Sequence, residues 1–207
     1  MFKKFVFKLL SFIGYILYPI LFLYNDVKRY TDLLYPQIRK YTLSKPHPKV
    51  FFLGRHIDFV GSKNIVIGER VKVSDYSTLS TWKVDDYNPL LQIGDDTKIG
   101  AFAHISCLND ILIGNSVLIG KFVTITDNSH GRNTLEDINI SPCNRNLYSK
   151  GKVVIEDYVW IGDKVTILPG VTIGKCSIIG ANSVVTSDIP PFVVACGNPA
   201  RIIKKII

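Results

Sequence analysis

From residue 153 to residue 186 the chain reads VVIEDYVWIGDKVTILPGVTIGKCSIIGANSVVT. An aliphatic side chain recurs at every sixth position: Ile155, Ile161, Ile167, Ile173, Ile179 and Val185. The same beat runs earlier as Ile67, Val73, Leu79, then Ile93, Ile99, Ile105, then Ile113, Ile119, Ile125. All fifteen positions are Ile, Val or Leu, and glycine follows in eight of them. Six residues are too few for a hairpin and out of phase with a helix, but they fit one short strand and one corner. Three such units close a triangular coil whose aliphatic side chains point to the axis. Each coil buries them by stacking on its neighbours through parallel ladders about 4.8 Å apart. The glycine is expected to permit a corner conformation that a side chain would strain. The fold class expected is an all-β solenoid, a parallel β-helix with five legible coils, preceded by an α-helical extension.

The extension is read from charge. The chain has 207 residues, a formal net charge of +8 and 47% hydrophobic residues, enough for a core and too many for a disordered chain. Residues 1–50 hold nine Lys and Arg against two acids, whereas residues 51–207 hold sixteen against fifteen. A basic, aromatic head therefore precedes a nearly neutral body. Phe5 to Tyr24 carries one charge, Lys8, and would just span a bilayer as a helix. Gly14 and Pro19 interrupt it, and Pro19 is expected to kink or end it. A second amphipathic stretch, Asn25 to Tyr41, carries Tyr30, Leu33, Leu34 and Ile38. Pro46 and Pro48 mark a linker, with His47 between them. A helix or broken helical pair lying in an anionic membrane interface is the first reading of residues 1–41. A true span and a helix packed on the body are the others. No nucleic-acid motif accompanies the basic charge. Cys107, Cys143, Cys176 and Cys196 form no CxxC pair and are expected to be buried free thiols of a reducing compartment.

Breaks in the repeat point to the site, because loops on rigid scaffolds carry chemistry. Leu79 to Ile93 includes Trp82-Lys83-Val84-Asp85-Asp86, and Ile105 to Ile113 includes Cys107-Leu108-Asn109-Asp110. After Ile125 comes Thr126-Asp127-Asn128-Ser129-His130-Gly131, and the hexads resume only after Lys152, in phase. Residues 127–152 are thus an excursion within a β-helix domain of residues 51–200, followed by a basic tail, 201–207.

The hexads, this excursion, the run from Val159 to Thr186 and the ending Gly197-Asn198-Pro199-Ala200-Arg201 resemble the hexapeptide-repeat acyltransferases, in the branch of maltose, galactoside and nodulation-type sugar O-acetyltransferases. The resemblance covers Ile93–Lys205 and is absent over residues 1–50. It implies a left-handed coil, a homotrimer with active sites between subunits, and acetyl-coenzyme A as acyl donor with no metal. It places the catalytic histidine at His130, whose imidazole would take the proton from an attacking sugar hydroxyl in a direct, ternary-complex transfer. Asp127 would orient that ring or cap a turn. Acceptor contacts are expected from Trp82, His104, Asn109, Asp110 and Asn128. Trp160, Gly162 and Asp163 would line the thioester and pantetheine arm, Gly180 and Ala181 the corner that it crosses, and Thr186, Arg201 and Lys204 the adenosine phosphates. A backbone amide would supply the oxyanion donor.

The greasy basic head favours a surface polysaccharide or lipid-linked glycan precursor as acceptor, at the inner face of the cytoplasmic membrane. Acetylation of a xenobiotic such as an antibiotic, and N-acylation of an amino sugar, are the alternatives within the class. A zinc carbonic anhydrase would need three converging histidines, and only His104 and His130 lie inside the clear repeat. A non-enzymatic scaffold would need neither the histidine-bearing loop nor the basic tail.

Overall fold

In a computed structural model, which describes residues 2–39, 52–132 and 134–207, a long helix is followed by a parallel β-helix. Helix α1 (Phe2–Arg39) runs unbroken through Gly14, Pro19 and Pro36. The expected stretches Phe5–Tyr24 and Asn25–Tyr41 are therefore one element over the described residues, and Pro19 does not end it. Proline removes one intrahelical hydrogen bond, and the helix continues on both sides of Pro19 without it. The linker residues Pro46, His47 and Pro48 lie outside the described residues. Among the described residues no helix is long and apolar enough to cross a membrane.

The solenoid starts two strands earlier than the hexads showed, so that Ile67 closes its first coil. That coil is β1 (Phe52–Leu53), β2 (Asp58–Val60) and β3 (Ile65–Ile67). The first face of the prism continues from β1 through β4 (Lys72–Val73), β7 (Lys98–Ile99), β10 (Leu118–Ile119), β15 (Trp160–Ile161), β18 (Ile178–Ile179) and β20 (Val193–Cys196). The second stacks β2, β5 (Thr78–Thr81), β8 (His104–Cys107), β11 (Thr124–Thr126), β16 (Thr166–Ile167) and β19 (Val184–Val185). The third stacks β3, β6 (Leu90–Ile93), β9 (Asp110–Ile113), β14 (Val153–Ile155) and β17 (Thr172–Ile173). Every pairing between coils is parallel and in hexad register, as in Val73 beside Ile99, Ile99 beside Ile119, and Ile119 beside Ile161. The hexad aliphatics are buried along the axis. A last strand, β21 (Arg201–Lys205), turns back antiparallel on β20 with all five residues exposed.

The glycines serve a different purpose from the one expected. The left-handed corner residues are mostly not glycine: Arg70, Tyr76, Asp96, Phe102, Ser116, Phe122, Tyr158, Lys164, Cys176 and Asn182 all have φ between 54° and 60°. The glycine two positions ahead of most of them has no positive φ. It leaves room for the neighbouring coil: a Cβ on Gly94 would lie 2.6 Å from the carbonyl carbon of Gly114. At one corner the left-handed residues form an exposed stack, His56 on Tyr76 at 4.9 Å, Tyr76 on Phe102 at 5.1 Å, and Phe102 on Phe122 at 4.7 Å. The cysteines are free as expected, but only Cys107 is buried; Cys143 is exposed, and Cys176 and Cys196 are half-buried.

The breaks in the repeat all fall at one corner, between the second and third faces. The chain exceeds one hexad from Phe59 to Ile67, Leu79 to Ile93, Ile105 to Ile113 and Ile125 to Ile155. Four successive coils thus throw their extra residues out along one edge. Coils below it, as from Ile167 to Ile173, turn the same corner without insertion.

Candidate active site

The large excursion is a small folded unit. It holds β12 (Ser129–His130), a one-turn helix α2 (Leu135–Ile138) and β13 (Leu147–Tyr148), and β12 and β13 pair antiparallel with His130 opposite Leu147. Tyr87, from the insertion above, accepts the Ser149 amide through its hydroxyl at 3.1 Å. Arg132 lies over the Tyr148 ring at 4.9 Å. The first contact ties the excursion to the insertion above and the second braces it internally, and β12 carries His130 out from the second face.

The His130 side chain is exposed and lines a cavity of about 600 Å³ together with Trp82, His104, Ser106, Asn128 and Arg145. Among the described residues its imidazole has no hydrogen-bond partner. A polar chain forms the cavity floor. The Trp82 indole donates to Ser106 Oγ at 3.1 Å, and Asn128 Nδ2 donates to the Ser106 carbonyl at 2.9 Å. Ser106 is the hub, and sequence reading missed it; its only signal is an outward position one residue after Ile105.

Asp127 stands apart from the imidazole. Its carboxylate is fully buried and accepts the backbone amides of Leu108 at 2.7 Å and Asn109 at 2.8 Å. Of the two roles open to it in the sequence, the geometry gives it the turn. Asn109 and Asp110, expected among the acceptor contacts, lie off the His130 cavity of one protomer. Asn109 is held in that bend, and Asp110 opens β9 on the third face, so neither lines the cavity. The Cys107 thiol is pushed well above its ordinary range, first by burial and then by the nearby Asp127 carboxylate. It stays protonated and is no nucleophile.

A second cavity, of about 470 Å³, lies on the other side of Asn128. Thr126, Tyr148, Lys150, Leu168 and Thr186 line it. Of the residues expected to bind cofactor, Thr186 alone shares a cavity with the His130 loop. Trp160 is half-exposed on the first face, and Arg201 and Lys204 lie on β21 at its end. Gly162, Asp163, Gly180 and Ala181 sit at the corner between the first and second faces. There a Cβ on Gly162 would lie 2.7 Å from the Ala181 nitrogen, and Asp163 accepts the Lys121 amide at 2.8 Å. Asp163 thus has a structural task, closing the corner of the coil above. One protomer does not bring these residues to His130. Among the described residues no His, Cys, Asp and Glu cluster could hold a metal.

Residues 152–187 match the family described as bacterial transferase hexapeptide (six repeats). Among solved structures, AntD, an N-acyltransferase from Bacillus cereus in complex with dTDP and 3-hydroxybutyryl-CoA, superposes with a TM-score of 0.68 at 22% identity, over 82% of this chain and 87% of AntD. The hexapeptide-repeat-containing acetyltransferase VCA0836 of Vibrio cholerae, complexed with acetyl coenzyme A, gives 0.52 at 24%, over 88% and 78%. The chain therefore shares the fold of these proteins, a left-handed parallel β-helix of hexapeptide repeats. Its curated relatives include WbbJ of Escherichia coli K12, which bears the name of a lipopolysaccharide biosynthesis O-acetyl transferase. That protein is 42% identical over 115 residues, 54% of this chain and 58% of WbbJ. The galactoside O-acetyltransferase of Lactococcus lactis is 44% identical over 102 residues, 47% of this chain and 44% of that enzyme. The chain spans about half the length of the curated relatives it matches.

Proposed function

We propose that the protein is an acetyl-coenzyme A-dependent O-acetyltransferase acting on a sugar hydroxyl of a surface polysaccharide or lipid-linked glycan precursor. The observation that carries this reading is the unpartnered imidazole of His130, held by the excursion over a cavity floored by Trp82, Ser106 and Asn128. An imidazole so placed can take the proton of a bound hydroxyl as its oxygen attacks the thioester carbonyl. The bond from oxygen to the acetyl carbon forms, the carbon–sulfur bond breaks, and the thiol of coenzyme A leaves with a proton. Asp127 acts at one remove, by holding the bend beneath Asn128.

The donor's proposed place is the cavity beyond Asn128, where Thr186 and Lys150 flank an apolar wall of Leu168 and Tyr148. Trp160, Gly162, Asp163, Gly180, Ala181, Arg201 and Lys204 complete the donor site in a homotrimer, in which one subunit's first face meets another's His130 loop. The separation of these residues from His130 within one protomer supports that assembly.

The head supports a membrane-proximal acceptor. Because α1 is continuous, the positions of all its charged residues fall on one half of its surface at 3.6 residues per turn. Ile13, Ile16, Ile20, Leu23, Val27 and Leu34 share the opposite half and are exposed. A basic, aromatic helix with such a face suits the inner surface of an anionic bilayer. N-acylation of an amino sugar is the second reading, favoured by the fold shared with AntD.

The test is coenzyme A release from acetyl-coenzyme A with a panel of glycosides. His130→Ala should lower kcat by about 100- to 10,000-fold while the thermal shift given by acetyl-coenzyme A persists. Near-normal turnover of that variant would sink the mechanism, and absence of any thermal shift in the native protein would sink the donor.

A further inference from the structure

Two cavities meet at the excursion, and they differ in charge. One, of about 520 Å³, is lined by Asp85, Asp86, Glu136 and Asp137, with Arg132 as its cation. The other is the His130 cavity, whose lining contains two imidazoles and the Arg145 guanidinium but no carboxylate. The segment Asn144–Leu147 separates them.

Arg145 is placed by its neighbours. Its stem runs beside Gly131, the residue after His130, where an added Cβ would lie 2.9 Å from Arg145 Cδ, and Arg145 and His130 line one cavity. Its Nε donates to the Ile140 carbonyl at 3.0 Å, which fixes the plane of the guanidinium. The other four of its five N–H donors have no partner among the described residues, and no ion pair engages it there. A neighbouring acid, Asp137, packs against the same side of Gly131 as the Arg145 stem but makes no ion pair with it. Its carboxylate already accepts the Arg132 amide at 2.6 Å and the Thr134 amide at 3.3 Å. Asp127, beneath the floor, is engaged by two backbone amides and by Asn128 Nδ2. A half-buried guanidinium with a fixed plane and free donors is a fork for an oxyanion.

We propose that the acceptor bears an anionic group, a sugar carboxylate or a phosphate, which docks on Arg145 and presents the neighbouring hydroxyl to His130. The proposal rests on the acetyltransfer reading and adds the charge of the acceptor to it. Arg145 is then a specificity residue. The anion fixes the position of the ring, and the cavity selects acidic units over neutral ones.

The test measures kcat/KM for acetyl transfer to three acceptors: a neutral methyl glycoside, the corresponding methyl uronide, and a sugar 1-phosphate. The native protein should favour at least one anionic acceptor over the neutral one by more than about tenfold. A preference for the uronide assigns the fork to a ring carboxylate, and one for the sugar phosphate assigns it to the reducing end. In Arg145→Gln the anionic-to-neutral ratio should fall close to one, and Arg145→Lys should keep part of it. The ratio is insensitive to any loss of folded protein. A native ratio near or below one, or a ratio unchanged in Arg145→Gln, overturns this proposal alone. No transfer to any acceptor, with no thermal shift from acetyl-coenzyme A, overturns it together with the acetyltransfer reading.

Discussion

The Asp127 carboxylate lies 2.7 Å from the Leu108 amide and is wholly excluded from solvent. Its second oxygen takes the Asn109 amide at 2.8 Å, and Asn128 Nδ2 approaches the first at 3.1 Å. The carboxylate thus ties the bend of one coil to the residue that opens the excursion of the next. Charge-assisted bonds to buried amides contribute more than neutral ones. Asp127→Ala should lower unfolding free energy by about 3 kcal/mol, since two buried donors lose their acceptor. Urea unfolding measures the loss. A change below about 0.5 kcal/mol would mean that water or a neighbour replaces the carboxylate.

Gly94 and Gly170 separate the two reasons for a glycine in this fold. A Cβ on Gly94 would meet the Gly114 backbone at 2.6 Å, and backbone cannot swing aside. At Gly170 the nearest atom would be 3.8 Å away, but φ is +78°. Gly94→Ala should therefore destabilise by about 3 kcal/mol or more through overpacking, and Gly170→Ala by only about 1 kcal/mol through the left-handed backbone. Thermal melts of the two variants should rank them in that order. The reverse order would restore conformational freedom as the reason for the hexad glycines.

How much was legible follows from which signals are periodic. The aliphatic at every sixth residue needs no partner to be recognised, so the core from Ile67 to Val185 was readable. The first two strands were hidden because Phe59 stands at an aliphatic position and the Gly61–Asn64 segment slips the phase by two residues before Ile67. His130, Trp82 and Asn128 could be singled out because breaks in a repeat are visible in one dimension, whereas His104, in an intact hexad, was marked by its place in the coil ahead of the excursion and by the family resemblance. That all four insertions share one corner was not visible in one dimension, because it depends on assigning each strand to a face. Arg145 was invisible for a related reason. Its place beside His130 arises from the antiparallel return of β13 on β12, which no local spacing encodes.

Acid should loosen the first coil. Burial would raise the Asp75 carboxyl, but the backbone amide and guanidinium of Arg55 more than offset it and hold it below the ordinary carboxylate range. Arg55 Nη2 lies 2.8 Å from Asp75 Oδ2, and the Arg55 amide 2.9 Å from Oδ1. A carboxylate depressed in the folded state stabilises fully above its unfolded value, and that contribution fades as pH falls through the folded one. Asp75→Asn should lower the melting temperature at neutral pH and lose less of it than the native protein between about pH 5 and pH 2. Parallel acid limbs in the two proteins would remove Asp75 from the account.

The head offers a test that depends on face. Ile16 and Leu23 lie on the apolar half of α1 and are half or more exposed, whereas Asn25 lies on the charged half. If that apolar half enters a bilayer interface, each aliphatic side chain there contributes roughly 1.5 kcal/mol, so replacing one should weaken vesicle binding by about tenfold. Full-length protein should sediment with vesicles containing phosphatidylglycerol, and less with neutral phosphatidylcholine, because the basic positions add an attraction that salt screens. Ile16→Asp and Leu23→Asp should each abolish most of that binding. Asn25→Asp adds the same charge on the opposite half, so it should lose only the electrostatic part and respond to salt. Equal losses from all three would mean that α1 acts through charge alone. No sedimentation of the native chain with either vesicle would leave the apolar half of α1 to be covered by protein. The acceptor would then need no lipid carrier to reach His130.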